Sequence, residues 1–264
     1  MRRLWFCLAA FAAAAALPAA VAQPPAGWAT VKGQIVFPAG AAVPERKALD
    51  VTQDKAHCLS KGPLLDETLV VNPKNKGIKN VVVWLRPDDK DPKSKLPPNQ
   101  IHPDDAKRKA TDVVIDQPCC MFTPRITTAR VGDTIVVKNT APVAHNFFWS
   151  SGFNGNLNPN IPPGGDAKVG PLVAETTPIP YKCSIHPWMA GTVRVFDHPY
   201  YAVTDEDGKF TMPNAPAGKY RLVVWHEKTG YLGGAPGRFG TPIEITGPAT
   251  ELKALEFPEL AKKD

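Results

Sequence analysis

Gly132 to Trp149 reads GDTIVVKNTAPVAHNFFW, and Tyr181 to Val195 reads YKCSIHPWMAGTVRV. In the first stretch a Gly-Asp turn feeds TIVVKN (Thr134 to Asn139), a β-branched run with the composition of a strand. A turn-forming Asn-Thr-Ala-Pro then carries the chain to His145. In the second, Tyr181 to Cys183 and TVRVF (Thr192 to Phe196) read as strands that bracket a tight segment. Pro187 keeps that segment from relaxing into a helix, and Gly191 is expected to turn it.

Working outward, the same grammar recurs. Thr30 to Phe37, Asn80 to Leu85, Asp112 to Asp116 and Ile126 to Thr128 are expected as strands, as are Tyr200 to Thr204, Lys209 to Met212 and Tyr220 to Trp225. Arg86 to Lys109 is charged and proline-rich, so it reads as a loop or linker with a short helix near Asp104 to Lys109. Asn154 to Gly170, rich in Asn, Pro and Gly, reads as a long surface loop. The chain has 264 residues with 29 prolines and 20 glycines, which argues against long helices and for an all-β architecture. Past the N-terminus no apolar run approaches the roughly 20 residues of a membrane span. A net charge of +6 over this length gives little reason to expect nucleic acid, and membrane association is not indicated.

Residues 1–22 have the form of a signal peptide. Arg2 and Arg3 precede the apolar stretch Leu4 to Leu17, Pro18 breaks it, and Ala20-Val21-Ala22 offers a cleavage site before Gln23. A periplasmic or secreted location follows as an expectation. Cleavage removes Cys7 and leaves Cys58, Cys119, Cys120 and Cys183 where disulfides persist.

The chemistry concentrates between Asp133 and Met189. His145, Cys183, His186 and Met189 supply two imidazoles, a thiolate and a thioether, a donor set suited to copper in a trigonal His₂Cys site with a weak axial Met. Cys183-x-x-His186-x-x-Met189 puts three donors on one loop, while His145 arrives from a distant strand end. His57, His102, His198 and His226 lack that context and read as surface or turn residues, with His226 near an interdomain seam. The chain has no H-x-H or H-C-H pair for a multicopper centre, no second cysteine on the ligand loop, no phosphate loop and no Ser/His/Asp arrangement. No catalytic residue is therefore assigned, and the chain is read as a non-enzyme. With Cys183 on the metal, Cys58 is expected to pair with Cys120 or else with Cys119, because adjacent cysteines bridge only under strain. The leftover thiol is expected to be buried.

The two opening stretches resemble the cupredoxin family of type 1 copper proteins, with the short ligand loop seen in amicyanin. The likeness covers roughly Thr111 to Asp197 and implies a Greek-key β-sandwich holding one copper ion on His145, Cys183, His186 and Met189. It also implies that Asn146 ties the ligand loops together by bonding near Ser184.

The flanks suggest a second β-sandwich. AVTDEDGKFTMPNAPAGKYRLVVW (Ala202 to Trp225) resembles the carboxypeptidase regulatory-like, or transthyretin-like, module, with Phe210 as its buried partner and Gly33-Gln34-Ile35 as its opening strand. The expected organisation is residues 24–95 and 198–264 forming that sandwich, with a copper domain at 111–197 inserted in it. Two domains in series is the rival. The expected function is single-electron transfer between redox partners such as a cytochrome or dehydrogenase, docking at an exposed His186 edge beside Pro187 and Trp188. Copper delivery or storage, or a cell-surface binding module with a structural copper site, are the alternatives.

Overall fold

The computed structural model describes residues 27–91 and 93–262, so segment 1–22, expected to be a signal peptide, lies outside the described residues. The chain is all-β: its helices are single turns such as Lys55–Cys58 and Pro103–Ala106. No described helix is long and apolar enough to cross a membrane.

Strands β1 (Trp28–Val36) and β2 (Val82–Pro87) find their partners far along the chain. β1 runs antiparallel to β14 (Lys209–Pro216) and parallel to β18 (Ala249–Glu251) and β19 (Leu255–Glu256). β2 lies between β13 (Tyr201–Val203) and β15 (Gly218–His226), and β15 also pairs with β16 (Gly230–Tyr231) and β17 (Thr241–Ile245). Both sheets feed one core, built from Ile35, Val83, Leu85, Phe210, Tyr220, Leu222 and Phe257 among others. Gly33 stands opposite Phe210, and a Cβ there would come within 2.7 Å of the Phe210 ring, so the ring packs over bare backbone.

Strands β3 to β12 pair among themselves. β3 (Asp112–Asp116) is parallel to β5 (Thr134–Lys138), which is antiparallel to β10 (Asp166–Val169). The larger sheet runs β4 (Ile126–Arg130), β12 (Ala190–Phe196), β11 (Ile179–Lys182), β7 (Phe148–Ser150) and β8 (Asn156–Leu157). β6 (His145–Asn146) pairs with β9 (Asn160–Ile161). Ile115, Phe122, Ile135, Phe147, Trp149, Tyr181, Val193 and Val195 form their common core. Among the described strands no ladder crosses from this set to the other.

The two sets meet at a seam of Val82, Trp84, Ile126, Phe196, Val223 and Trp225. Strand alternation explains why β2, β12 and β15 are largely buried on both faces. Val83, Leu85, Leu222 and Val224 point into one core and Val193 and Val195 into the other, while their neighbours in sequence face the seam. The seam also holds a nearly buried ion pair, with Arg125 Nη2 3.0 Å from Glu227 Oε2.

The structure corrects two expectations about the strands. Asn154 to Gly170 is not simply a loop, because Asp166–Val169 is a strand whose alternate residues pack on the core. Gly191 does not turn the chain; it lies within β12 opposite Tyr181, where a Cβ would stand 2.4 Å from the phenol ring. The charged segment before Lys109 is largely loop with a short helix at Pro103–Ala106, as expected, and it is anchored: Arg108 Nη1 and Nη2 donate to Asp133 Oδ1 and Oδ2 at 2.8 and 2.9 Å.

Asp133 is 1% exposed and also accepts from the backbone N–H groups of Thr111 and Arg130, both at 2.9 Å. Burial alone would raise its carboxyl pKa, but these donors outweigh burial and hold it below the ordinary carboxylate range. Its contribution is therefore complete above that range and is lost as pH falls through the depressed value. Asp133→Asn is expected to cost about 2 kcal/mol near neutral pH. Urea unfolding across pH should show a shallower acid loss of stability in the variant than in the native chain.

Candidate metal centre

The register of β7 on β11 brings the distant donors together. Trp149 stands opposite Tyr181 and Phe148 opposite Lys182, antiparallel. Continued past the strand ends, that register sets Asn146 beside Ser184 and His145 beside the loop that follows Cys183. Asn139, fully buried, shapes the approach: its side chain donates to the carbonyls of Val143 (2.9 Å) and Ile161 (2.8 Å) and accepts from the Ala141 N–H. The ligand loop closes on itself, with Met189 N donating to His186 O at 2.9 Å and Cys183 N to Met189 O at 3.1 Å.

His145, Cys183 and His186 each offer one donor atom, all within 4.8 Å of one another. The two Nδ1 atoms are 2.9 Å apart, and Cys183 Sγ is 3.8 Å from His186 Nδ1. Cys183 Sγ accepts backbone N–H groups from Asn146 (3.3 Å) and His186 (3.4 Å), which stabilises negative charge on sulfur. Met189 is fully buried in the core beneath the loop. Asn146 Oδ1 accepts from Ser184 N at 3.1 Å, while its Nδ2 donates to the Pro159 carbonyl at 3.0 Å, so this one side chain joins three segments around the site. Burial, helped by the neighbouring His186 and His57, pushes the His145 pKa down to about 4, so its imidazole is neutral with a lone pair to give.

The edge of His186 is closed. Its side chain is wholly buried, which corrects the expectation of an exposed docking edge. The cause is the segment from Val51 to Cys58. Asp54 Oδ2 accepts from His186 Nε2 at 2.8 Å, which orients the ring so that Nδ1 faces His145 and Cys183. Asp54 holds a left-handed backbone (φ 46°) at the start of the Lys55–Cys58 turn. That turn is tied down by the Cys58–Cys120 disulfide, whose sulfurs both lie within 4.8 Å of a His186 ring nitrogen. Trp188 completes the cover: its ring meets His186 edge-on at 5.1 Å, and its Nε1 donates to Cys120 O at 3.1 Å.

Cys58 is thus bonded to Cys120 rather than Cys119, and Cys119 is half-buried rather than buried. His57 and His102 are partly exposed, but His198 and His226 are buried, because each hands its Nδ1 to a nearby backbone N–H (Tyr200 and Lys228) inside the structure. Asp54 carried no signal of its own in the polar run TQDKAHC. Only the pairing of Cys58 with Cys120 could have pointed to it.

No family profile matches this chain, and no curated protein matches it. Solved structures of amicyanin variants are similar over about a third of it. A Cu(I) methionine-to-alanine variant is 24% identical over 32% of this chain and 82% of that one, with a TM-score of 0.30. A reduced tryptophan-to-tyrosine variant is 24% identical over 34% and 88%, also at 0.30. An oxidised proline-to-alanine variant is 24% identical over 32% and 82%, at 0.29.

If Asp54 and the disulfide close this edge, the His186 Nε2 proton should exchange slowly with water. Asp54→Ala, and separately the Cys58→Ala/Cys120→Ala pair, should each speed that exchange about tenfold or more, as local opening becomes easier. Proton NMR of the imidazole N–H in the metal-free protein reads this directly. Equal rates in all three proteins would contradict the closure.

Proposed function

We propose that this chain would hold one copper ion on His145, Cys183 and His186, with Met189 as a further, weaker donor, and would exchange single electrons with partner proteins outside the cytoplasm. The observation that carries this reading is the buried convergence of two imidazole nitrogens and a sulfur that already accepts two backbone N–H bonds. Such a set fits copper better than zinc or iron, because nitrogen and thiolate are joined by a thioether-bearing residue on the same short loop. Copper, when bound, supplies a one-electron couple.

The protein's own residues do the rest. Asn146 fixes the spacing between the two ligand loops, Asp54 fixes the tilt of His186, and the N–H groups on Cys183 Sγ temper its charge. A site clamped in this way has little room to rearrange between oxidation states, which favours fast transfer over metal exchange. With His186 covered, Trp188 and the exposed Pro187 are the groups through which a cytochrome or dehydrogenase would approach. The disulfide suits a periplasmic or secreted setting. We read the strands from 28–87 and 201–256 as a supporting sandwich into which the copper-binding portion is inserted, and we assign the chain no catalytic chemistry.

Copper-loaded protein is expected to show one intense visible thiolate-to-copper absorption, one copper per chain and a reversible reduction wave. Cys183→Ser should fold, lose that colour and weaken copper binding by about tenfold or more. A folded Cys183→Ser variant with unchanged colour would remove the thiolate assignment. Strong colour together with rapid loss of copper to a chelator would favour a delivery or storage role instead.

A further inference from the structure

The seam between the two strand sets contains a cleft of about 470 Å³. Arg194, on β12, turns into it from the face opposite Val193 and Val195, and is 8% exposed. Its guanidinium carbon lies 5.2 Å from the Trp84 ring centre and 5.0 Å from that of Phe196. Its Nε and Nη1 have no hydrogen-bond partner among the described residues. Arg86, 7% exposed, lines the same cleft and gives its Nη atoms only to the carbonyls of Arg238 and Asp91. Among the described residues neither guanidinium forms an ion pair.

The carboxylates in the walls are committed elsewhere. Glu175 accepts from Gly152 N at 2.9 Å, from Asn154 Nδ2 at 3.0 Å and from Ser151 Oγ. Asp197 pairs with Lys95 at 3.4 Å. Burial pushes the Arg194 pKa down to about 10, which leaves it charged at neutral pH. Two desolvated cations therefore face one cleft with no carboxylate in ion-pair contact; Glu175 and Asp197 act on Arg194, and Asp89 and Asp91 on Arg86, only from longer range. Stacking on Trp84 and Phe196 returns part of the desolvation cost of Arg194, but an aromatic ring leaves its N–H donors unbonded. The volume falls within the roughly 300–1,000 Å³ of small organic ligand sites and is far larger than a bare inorganic ion needs. Trp84, Phe196 and Tyr231 make much of the wall apolar.

We propose that this cleft is a binding site for a small organic carboxylate, whose apolar body lies against Trp84, Phe196 and Tyr231 and whose charged end meets Arg194, with Arg86 adding to the field. The site uses none of the candidate copper ligands, so it stands or falls separately from the copper reading.

Benzoate is the probe, titrated calorimetrically into the full exported chain. One saturable site is expected, with acetate weaker because it lacks the apolar body. Arg194→Met should weaken benzoate about tenfold or more, the scale of one lost charge-assisted hydrogen bond. Without ligand that variant should melt no lower than the native chain, because it removes a buried unpaired charge. Benzoate should raise the melting temperature of the native chain and leave that of the variant unmoved. Arg194→Gln, which keeps hydrogen bonding without the charge, should lose benzoate as well and carries the test if the Met variant does not fold. The proposal is overturned if benzoate shows no saturable binding, if inorganic phosphate binds and benzoate does not, or if Arg194→Met melts lower with benzoate affinity unchanged. That last result would make Arg194 a staple of the seam.

Discussion

The antiparallel register of β7 on β11 is the constraint on which the rest depends. Phe148 against Lys182 and Trp149 against Tyr181 place the chain leading back to His145 alongside the chain leading on past Cys183. A slip of one residue would turn Trp149 and Tyr181 out of the core and carry His145 away from the sulfur. The register is held by burial of Phe122, Phe147, Trp149 and Tyr181, whose rings pack at 4.8 to 6.0 Å. It is held as well by the Tyr181 hydroxyl, which donates to the carbonyls of Pro124 and Arg125 over the space that Gly191 leaves open. The hydrophobic core thus sets the geometry of the polar site above it.

How the site is enclosed follows from a second, covalent constraint. The Cys58–Cys120 bond spans 62 residues, which in the chain-entropy picture contributes about 4 kcal/mol. Its local consequence matters more for function. It lays Asp54 against the outer nitrogen of His186 and seats Trp188 on the Cys120 carbonyl, so the His186 edge is roofed by protein instead of solvent. Low polarity around the donor cluster strengthens every charge interaction there.

Some of this could be read from the residues alone. TIVVKN and TVRVF announced themselves as strands by β-branched composition, and the donor types at His145, Cys183 and His186 pointed to three groups that the fold does bring together, because their chemistry is unusual in combination. What escaped did so for physical reasons. Asp166–Val169 is a strand because its neighbour β5 offers it an edge, and DAKV has too little intrinsic preference to show this locally. Gly191 looked like a turn residue because the ring that needs its space lies on the neighbouring strand. Asp54 is one acidic residue in a polar run, and its place against His186 exists only through tertiary closure. The buried state of Arg194 was hidden likewise: TVRVF reads simply as a strand, and that Trp84 covers its outer face across the seam is a tertiary fact.

The most direct test of the central claim is X-ray absorption at the copper edge on protein loaded with one equivalent of metal. A single short copper–sulfur contact accompanied by two imidazole nitrogens is the result the proposed copper site predicts. A first shell of nitrogen and oxygen alone, with no sulfur, would contradict it.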